Sequence, residues 1–301
     1  MGRRKFRPLN GILLLDKALG VSSNKALQDA RFLLAAEKAG HTGSLDPLAT
    51  GMLPICFGEA TKVSAFLLDS DKRYITTASL GYVSTTGDAE GEKINPRPVP
   101  HLTDTALESV LDKFRGNISQ IPPMYSALKK EGQPLYKLAR QGVEVEREAR
   151  NVVIHSLQVL ARTDDTLTLD VVCSKGTYIR SLVEDIGESI GCGAYVARLH
   201  REFVMPFGGQ KMYTLEELRN VAEQGMDALD QLLLPMDQAL PDVPSMMLDD
   251  GQITRLRQGQ RLFFPGQMDS ELIKIYSTAH EFVGLACVQA QVLMVKRLLA
   301  C

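Results

Sequence analysis

The sequence predicts a mixed α+β protein that ends in a small β-rich domain. Three observations carry this expectation. Short or alternating apolar runs of strand type lie between segments whose apolar residues recur at helical spacing behind capping side chains. Pro235, Pro241 and Pro244 then interrupt the pattern and place a domain boundary near residue 245. Beyond it, four short apolar runs read as strands: Leu262–Phe264, Leu272–Tyr276, Phe282–Cys287 and Val292–Val295. A length of 301 residues fits two domains at about 150 residues each.

Taken in order, Gly11–Asp16 is an apolar run of buried-strand type. Ser22, Ser23 and Asn24 offer capping oxygens to a helix carrying Ala26, Ala30, Leu33 and Leu34 on one face. Gly40–Gly58 mixes glycine and proline with apolar residues, so no single regular element runs through it. A helix is expected over Ala60–Leu68 and a strand over Tyr74–Leu80. After a proline-rich loop at Asn95–Pro100, Thr103 or Asp104 caps a helix with Leu107, Val110, Leu111 and Phe114 on its apolar face. Pro122-Pro123 breaks the chain, and Lys129–Arg150 is unusually charged around Tyr136. On charge alone that segment is a solvated excursion. Val152–Leu160 and Thr166–Val172 pair through a turn at Asp164-Asp165, and Tyr178–Ile190 forms a helix burying Leu182, Val183, Ile186 and Ile190. Thr214 and Glu217 fit a capping box.

Composition excludes several classes of function. Hydrophobic residues at 45% and charged residues at 23% belong to a globular chain, and the net charge of −2 argues against a general nucleic-acid coat while allowing a local basic track. Cys56, Cys173, Cys192, Cys287 and Cys301 are odd in number and never form a C-x-x-C pair, which fits a reducing compartment. The run Ile12–Leu15 is too short for a signal peptide, and Phe6 stands where myristoylation needs Ser or Thr. Location in the cytoplasm is therefore expected, with no membrane span. Neither G-x-x-x-x-G-K-[ST] nor G-x-G-x-x-G nor G-x-S-x-G occurs, and the five histidines never take metal-ligand spacing. Chemistry without metal or cofactor is expected, run on carboxylate, hydroxyl, imidazole and guanidinium groups.

Two segments stand out. In Gly40–Gly58, Asp46 precedes Pro47, which restricts its backbone, among the apolar Leu45, Leu48, Met52 and Leu53. Such a rigid aspartate is a candidate reactive carboxylate, although an isolated Asp-Pro usually only caps a turn. In Cys173–Arg180 a strand ends, Gly176 turns the chain and a helix opens with Tyr178 and Arg180. An arginine in a first helical turn opposes the helix dipole, which hints at a carboxylate partner, although taken alone an arginine on a solvated helix end is the better reading.

These segments carry a resemblance. NGILLLDKALGVSSN, AGHTGSLDPLATGMLPICFGEATK, DKRYITTASLG, QIPPMYSALKKEGQPLYKLARQG and SKGTYIRSLVEDIGE resemble, in order, the motifs of the B-type tRNA pseudouridine-55 synthase family over most of residues 10–200. The C-terminal part resembles that family's small PUA-like RNA-binding domain. The resemblance implies a largely antiparallel central sheet flanked by helices, with residues 1–245 as the catalytic domain and 246–301 as the PUA-like domain. It implies that the chain, acting as a monomer, breaks the N-glycosidic bond of uridine 55 in the tRNA T-loop, turns the base and rejoins it through C5. An isomerisation of this kind needs no redox cofactor, phosphate donor or metal.

Residue by residue, Asp46 matches the family's nucleophile and Arg180 the residue that pairs with it. Whether the aspartate attacks C1′, attacks C6 or abstracts a sugar proton stays open. Burial is expected to push its pKa up unless a cation opposes this. Tyr74 and Tyr178 match the aromatic residues around the flipped base, with the Tyr74 phenol a candidate for removing the C5 proton, and Leu199 matches an apolar wall. His41 matches the histidine that fills the vacated stack after flipping. Lys129, Lys130, Lys137 and Arg140 fall in the insertion at about 124–150 that clamps the T-loop, where they are expected to meet phosphates. Ala18, Ser84 and His200 depart from the usual proline, threonine and arginine of the motifs, the second within Ser84-Thr85-Thr86-Gly87-Asp88. Two other readings compete: a tRNA-binding or folding factor without turnover, and a glycosidase, which would want a second acid beside Asp46.

Overall fold

The computed structural model describes residues 5–126, 128–130 and 132–300. Cys301 and, within the quoted motif, Ala127 and Glu131 lie outside the described residues. In chain order the N-terminal elements are β1 (Gly11–Lys17), α1 (Ser23–Leu33), β2 (Ala39–His41), β3 (Ala49–Phe57), α2 (Ser64–Asp69), β4 (Lys72–Leu80), β5 (Val83–Ser84) and β6 (Lys93–Ile94). There follow α3 (Asp104–Leu111), β7 (Gly116–Gln120), β8 (Lys129–Lys130), β9 (Gln133–Pro134), α4 (Leu135–Arg140), β10 (Arg150–Arg162), β11 (Thr166–Cys173), α5 (Ile179–Ile190) and β12 (Ala194–Val204). The chain closes with α6 (Leu215–Ala222), α7 (Met226–Asp230), β13 (Ser245–Leu248), α8 (Asp250–Arg257), β14 (Leu262–Phe263), β15 (Ser270–Ser277), β16 (Phe282–Gln289) and β17 (Val292–Leu298).

An eight-stranded sheet runs β1-β3-β12-β4-β11-β10-β7, with β2 added beside β3. Every pairing in it is antiparallel except β3 with β12. That parallel junction aligns Ala49 with Leu199 and Gly51 with Arg201. Gly51 has φ +98°, and a Cβ there would lie 2.3 Å from the Arg201 carbonyl oxygen, so only glycine lets the two strands approach.

The apolar pattern explains the layers. On β1, Leu13 and Leu15 pack with α1 and α6, while Ile12 and Leu14 face Val204, Phe207 and Leu285. Burial on both faces is why this strand reads as an unbroken apolar run. On the other half of the sheet, Leu169 and Val171 of β11 and Ala78 of β4 meet Leu182, Val183 and Ile186 of α5. Gly187 allows α5 to lie against β12, since a Cβ would stand 2.3 Å from the Ala194 nitrogen. Three expected caps are present: Ser22 accepts from Lys25, Thr103 from Ala106, and Thr214 and Glu217 close a capping box; in addition, Gly191 ends α5 in the left-handed region.

The expected helix over Ala60–Leu68 is instead a 3₁₀ turn at Gly58–Lys62 followed by α2. The Thr61 hydroxyl donates to Gly58 O at 2.7 Å and the Ser64 hydroxyl to Thr61 O at 2.8 Å, local bonds that compete with a continuous ladder. The four runs beyond residue 245 form strands of a second, five-stranded sheet, ordered β13-β15-β16-β17-β14. That region also contains α8, opened by a capping box of Asp249 and Gln252. Leu285 joins the core shared with β1 and β3, Lys62 Nζ donates to Leu298 O at 2.9 Å, and the Tyr276 hydroxyl donates to Asp237 at 2.6 Å.

Candidate active site

Asp46 lies on the loop between β2 and β3, and that loop is tied down from three sides. Ser23, at the start of α1, accepts from Leu45 N at 2.7 Å and donates back to Leu45 O at 2.9 Å. Gly20 N donates to Pro47 O at 2.8 Å, and Ala49 N closes a turn onto Asp46 O at 3.0 Å. From beneath, the buried Lys17 ammonium reaches the carbonyls of Ala18, Val21 and Pro47 at 3.0, 2.6 and 3.4 Å. Burial pulls its pKa down to about 8. Pro47 stiffens what these bonds fix, so the carboxylate is presented from a preorganised turn.

The loop forms one wall of a cavity of about 490 Å³, within the range of nucleoside-sized ligand sites. Asp46, His41, Tyr74, Tyr178, Arg180 and Leu199 all line it. Six residues named from the sequence thus converge. Arg180, at the start of α5, sends Nε to Asp46 Oδ2 at 3.0 Å, and its side chain is only 5% exposed against 40% for Asp46. Its remaining nitrogens donate to Thr86 O at 2.9 Å and Tyr125 O at 2.7 Å, and Nη1 lies 3.7 Å from Asp88 Oδ2. Asp88 itself accepts from the Thr86 hydroxyl at 2.6 Å. The odd helix-start arginine is therefore balanced by two carboxylates and two carbonyls.

Burial pushes the Asp46 carboxyl above its ordinary value, the Arg180 charge opposes this, and Asp88 adds to the rise. The expected contest between desolvation and a cation is present, and desolvation prevails. Tyr178 stands at the cap of α5, where Gln120 clamps its backbone by accepting from Tyr178 N at 2.8 Å and donating to Tyr178 O at 3.0 Å. Tyr74, 8% exposed, projects from β4, and burial raises its phenol pKa. His41 ends β2, and among the described residues its buried Nδ1 meets no side chain that satisfies it. Burial and the Arg201 charge both lower its pKa, which favours the neutral imidazole.

Lys129 and Lys130 form β8 of a two-stranded hairpin with β9, while Lys137 and Arg140 sit on α4. All four are exposed. None lines the cavity, but Ser126 at the head of the same insertion does. Arg140 stacks over Tyr136 at 5.6 Å, and Lys130 donates to Glu146 O at 3.3 Å.

Sequence reading passed over Arg201, Lys72 and Gln120. Arg201 and Lys72 line the cavity, and Gln120 holds Tyr178. The strand that carries Arg201 has register shifts at Val196/Arg198 and Arg201/Phe203, which break the period-two signal that would have announced it. Among the described residues no three His, Cys, Asp or Glu side chains group as a metal site would need, and no helix is long and apolar enough to cross a membrane.

Comparison with known proteins covers nearly the whole chain. Residues 31–179 match the family model described as TruB family pseudouridylate synthase (N terminal domain). Residues 180–241 match the tRNA pseudouridylate synthase B C-terminal domain, and residues 244–299 match Pseudouridine synthase II TruB, C-terminal. The chain is 55% identical to tRNA pseudouridine synthase B of Pseudomonas fluorescens (strain Pf0-1) over 94% of its own length and 93% of the relative's. It is 52% identical to that of Marinomonas sp. (strain MWYL1), covering 95% of this chain and 93% of the relative. In fold it is similar to a chain of the Cbf5-Nop10-Gar1 complex, with TM-score 0.73 and 24% identity over 96% of this chain and 84% of that one. With a cavity built on Asp46 and Arg180 and relatives of this similarity along nearly the whole chain, the protein belongs to the TruB family of pseudouridylate synthases.

Proposed function

We propose that this chain converts uridine 55 in the T-loop of tRNA to pseudouridine. The observation that carries the reading is the Arg180 Nε to Asp46 Oδ2 contact of 3.0 Å in a cavity walled by Tyr74, Tyr178 and Leu199. An aspartate that is rigid, partly open and held by a buried guanidinium is suited to attack a sugar or base once and leave again. The target nucleotide is stacked inside the tRNA elbow, so it is flipped into the cavity at a cost of a few kcal/mol. His41, which burial and the Arg201 charge keep neutral, takes the vacated stack.

The base lies between Tyr74, Tyr178 and Leu199 while Asp46 supports the severed half. After rotation C5 bonds to C1′, and the Tyr74 phenol handles the C5 proton. Residues 1–245 form the catalytic domain, with the insertion at about 124–150 clamping the T-loop through Lys129, Lys130, Lys137 and Arg140. Residues 246–301 serve as a PUA-like RNA-binding domain. The chain works as a monomer in the cytoplasm.

The test is tritium release. An unmodified tRNA transcript labelled at uridine C5 is expected to lose tritium to solvent without added cofactor, and Asp46→Asn to abolish the loss. Binding of the transcript without release would replace this reading with a tRNA-binding or folding factor, and free uracil would replace it with a hydrolase.

A further inference from the structure

Arg201 is a buried cation with no anion beside it. Only 1% of the residue is exposed, and among the described residues it takes part in no ion pair. Its Nε donates to Met52 O at 2.7 Å and Nη2 to Gly43 O at 3.1 Å. Those bonds use two of the five guanidinium N–H groups, one anchored on β3 and one on the loop that carries Asp46. An unpaired buried charge is costly, so a fold that keeps one has a compensating anion at some stage of its work.

The sheet register indicates where that anion forms. Arg201 on β12 is the direct antiparallel partner of Tyr74 on β4, so the two side chains stand on one face with Cβ atoms about 4.5–5.5 Å apart. Both line the cavity. Lys72, two residues before Tyr74 on the same face, is committed otherwise: its ammonium donates to Leu67 O at 3.3 Å, Leu68 O at 2.7 Å and Ser70 O, so its three protons are spoken for.

We propose that Arg201 is a positioning residue whose guanidinium holds the Tyr74 side chain and stabilises its phenolate during the reaction. This rests on the reading of the cavity as a uridine site. The chemistry balances as follows. When the N1–C1′ bond breaks, its electron pair stays on N1 and Asp46 bonds to C1′ in its place; the Tyr74 phenol delivers its proton to N1, leaving a phenolate beside Arg201. As C5 bonds to C1′, Asp46 is released as a carboxylate. The C5 proton then passes to the phenolate oxygen, its electron pair restores the C5–C6 double bond, and the phenol is regenerated. Rotation of the base brings C5 to where N1 had been, so one phenol serves both steps.

The surroundings favour this partner. Burial raises the Tyr74 pKa, and the charge and hydrogen bond of Arg201 are what pull it back; Asp46 and Cys173 press the other way. Burial drives the Cys173 thiol to about 12, so it stays neutral, and His41 is held neutral as well. Lys72, lowered to about 8, and Arg180 complete the charged groups around the phenol.

The direct test is titration of the full-length protein labelled with tyrosine ¹³Cζ, with Tyr74→Phe identifying the Tyr74 signal. In Arg201→Gln the phenol midpoint is expected to rise by about one pH unit or more relative to wild type, and in Arg201→Lys by less. In parallel, Arg201→Gln is expected to bind tRNA within about threefold of wild type while turnover falls by about 100-fold, the scale of one acid–base contribution. Deuterium at uridine C5 is expected to slow this variant but not wild type. An unmoved Tyr74 midpoint in a folded variant, or equal loss of binding and turnover without an isotope effect, overturns the proposal. If Arg201→Gln does not fold, Arg201→Lys decides by the same three readings. The titration requires no turnover, so it separates a failed pairing from a failed reading of the reaction.

Discussion

The cleft and the charged insertion both use cations, in opposite settings. In the cleft Arg180 is nearly sealed, and each of its groups faces a named oxygen on Asp46, Asp88, Thr86 or Tyr125. On the insertion Lys129, Lys130, Lys137 and Arg140 are exposed and, among the described residues, none is paired with a carboxylate. The first arrangement acts at short range in low dielectric and is hardly screened. The second is screened by salt within about 10 Å and is free to meet phosphates. The same residue types therefore sit in two settings: one fixes an acid, the other stays open to solvent.

The largest expected effect comes from breaking the cleft side. Arg180→Ala leaves Asp46 and the buried Asp88 without their shared cation, a loss on the scale of about 3–5 kcal/mol. Turnover under saturating tRNA is expected to fall by about 100-fold or more, with affinity nearly kept, as measured by single-turnover rates beside filter binding. Equal loss of both would mark Arg180 as a phosphate contact instead. Next is the insertion side. Replacing Lys129, Lys130, Lys137 and Arg140 together by alanine should weaken tRNA binding and flatten the slope of log Kd against log salt by about 0.7–0.9 for each phosphate contact removed. The rate at saturation should hold. A fall in that rate with an unchanged salt slope would show that these cations belong to the chemistry.

The smallest effect sits where the two regions meet. Glu184 of α5 lies near Arg180, Asp88 and Arg147, and burial, helped by Asp185, lifts its pKa to about 7. Its folded pKa exceeds the unfolded value of 4.5, so the folded state binds more protons in between. The stability it contributes is complete below the unfolded pKa and is lost as pH rises through about 7. Glu184→Gln should therefore narrow the difference in melting temperature between acidic and neutral buffer, by an amount equivalent to about 1–3 kcal/mol. An unchanged difference would show that the carboxyl titrates normally.

Much of this was legible in the chain. Asp46 before Pro47 marked a candidate rigid acid that turn-capping would equally explain, and Arg180 in a first helical turn only hinted at a partner, a solvated helix end being the commoner reading. Capping residues fixed α1, α3 and α6, and the apolar patterns of Tyr74–Leu80 and Thr166–Val172 marked two central strands. The split at Gly58–Lys62 and the helix α8 escaped notice, because hydroxyl side bonds and short caps decide such segments more than periodicity does. Arg201 was invisible for a different reason, since two bulges in β12 hide its register.

Local composition determined which segments turn, cap or alternate, because those preferences act over three or four residues and need no partner. It also supplied the chemical inventory: an acid, two phenols, an imidazole and a guanidinium. Only the tertiary structure decided that Asp46 and Arg180 touch, that β12 lies parallel to β3 beside a glycine, and that Arg201 stands opposite Tyr74. Strand order joins residues far apart in sequence, and it is set by the shared burial of whole sheet faces, which no single segment encodes.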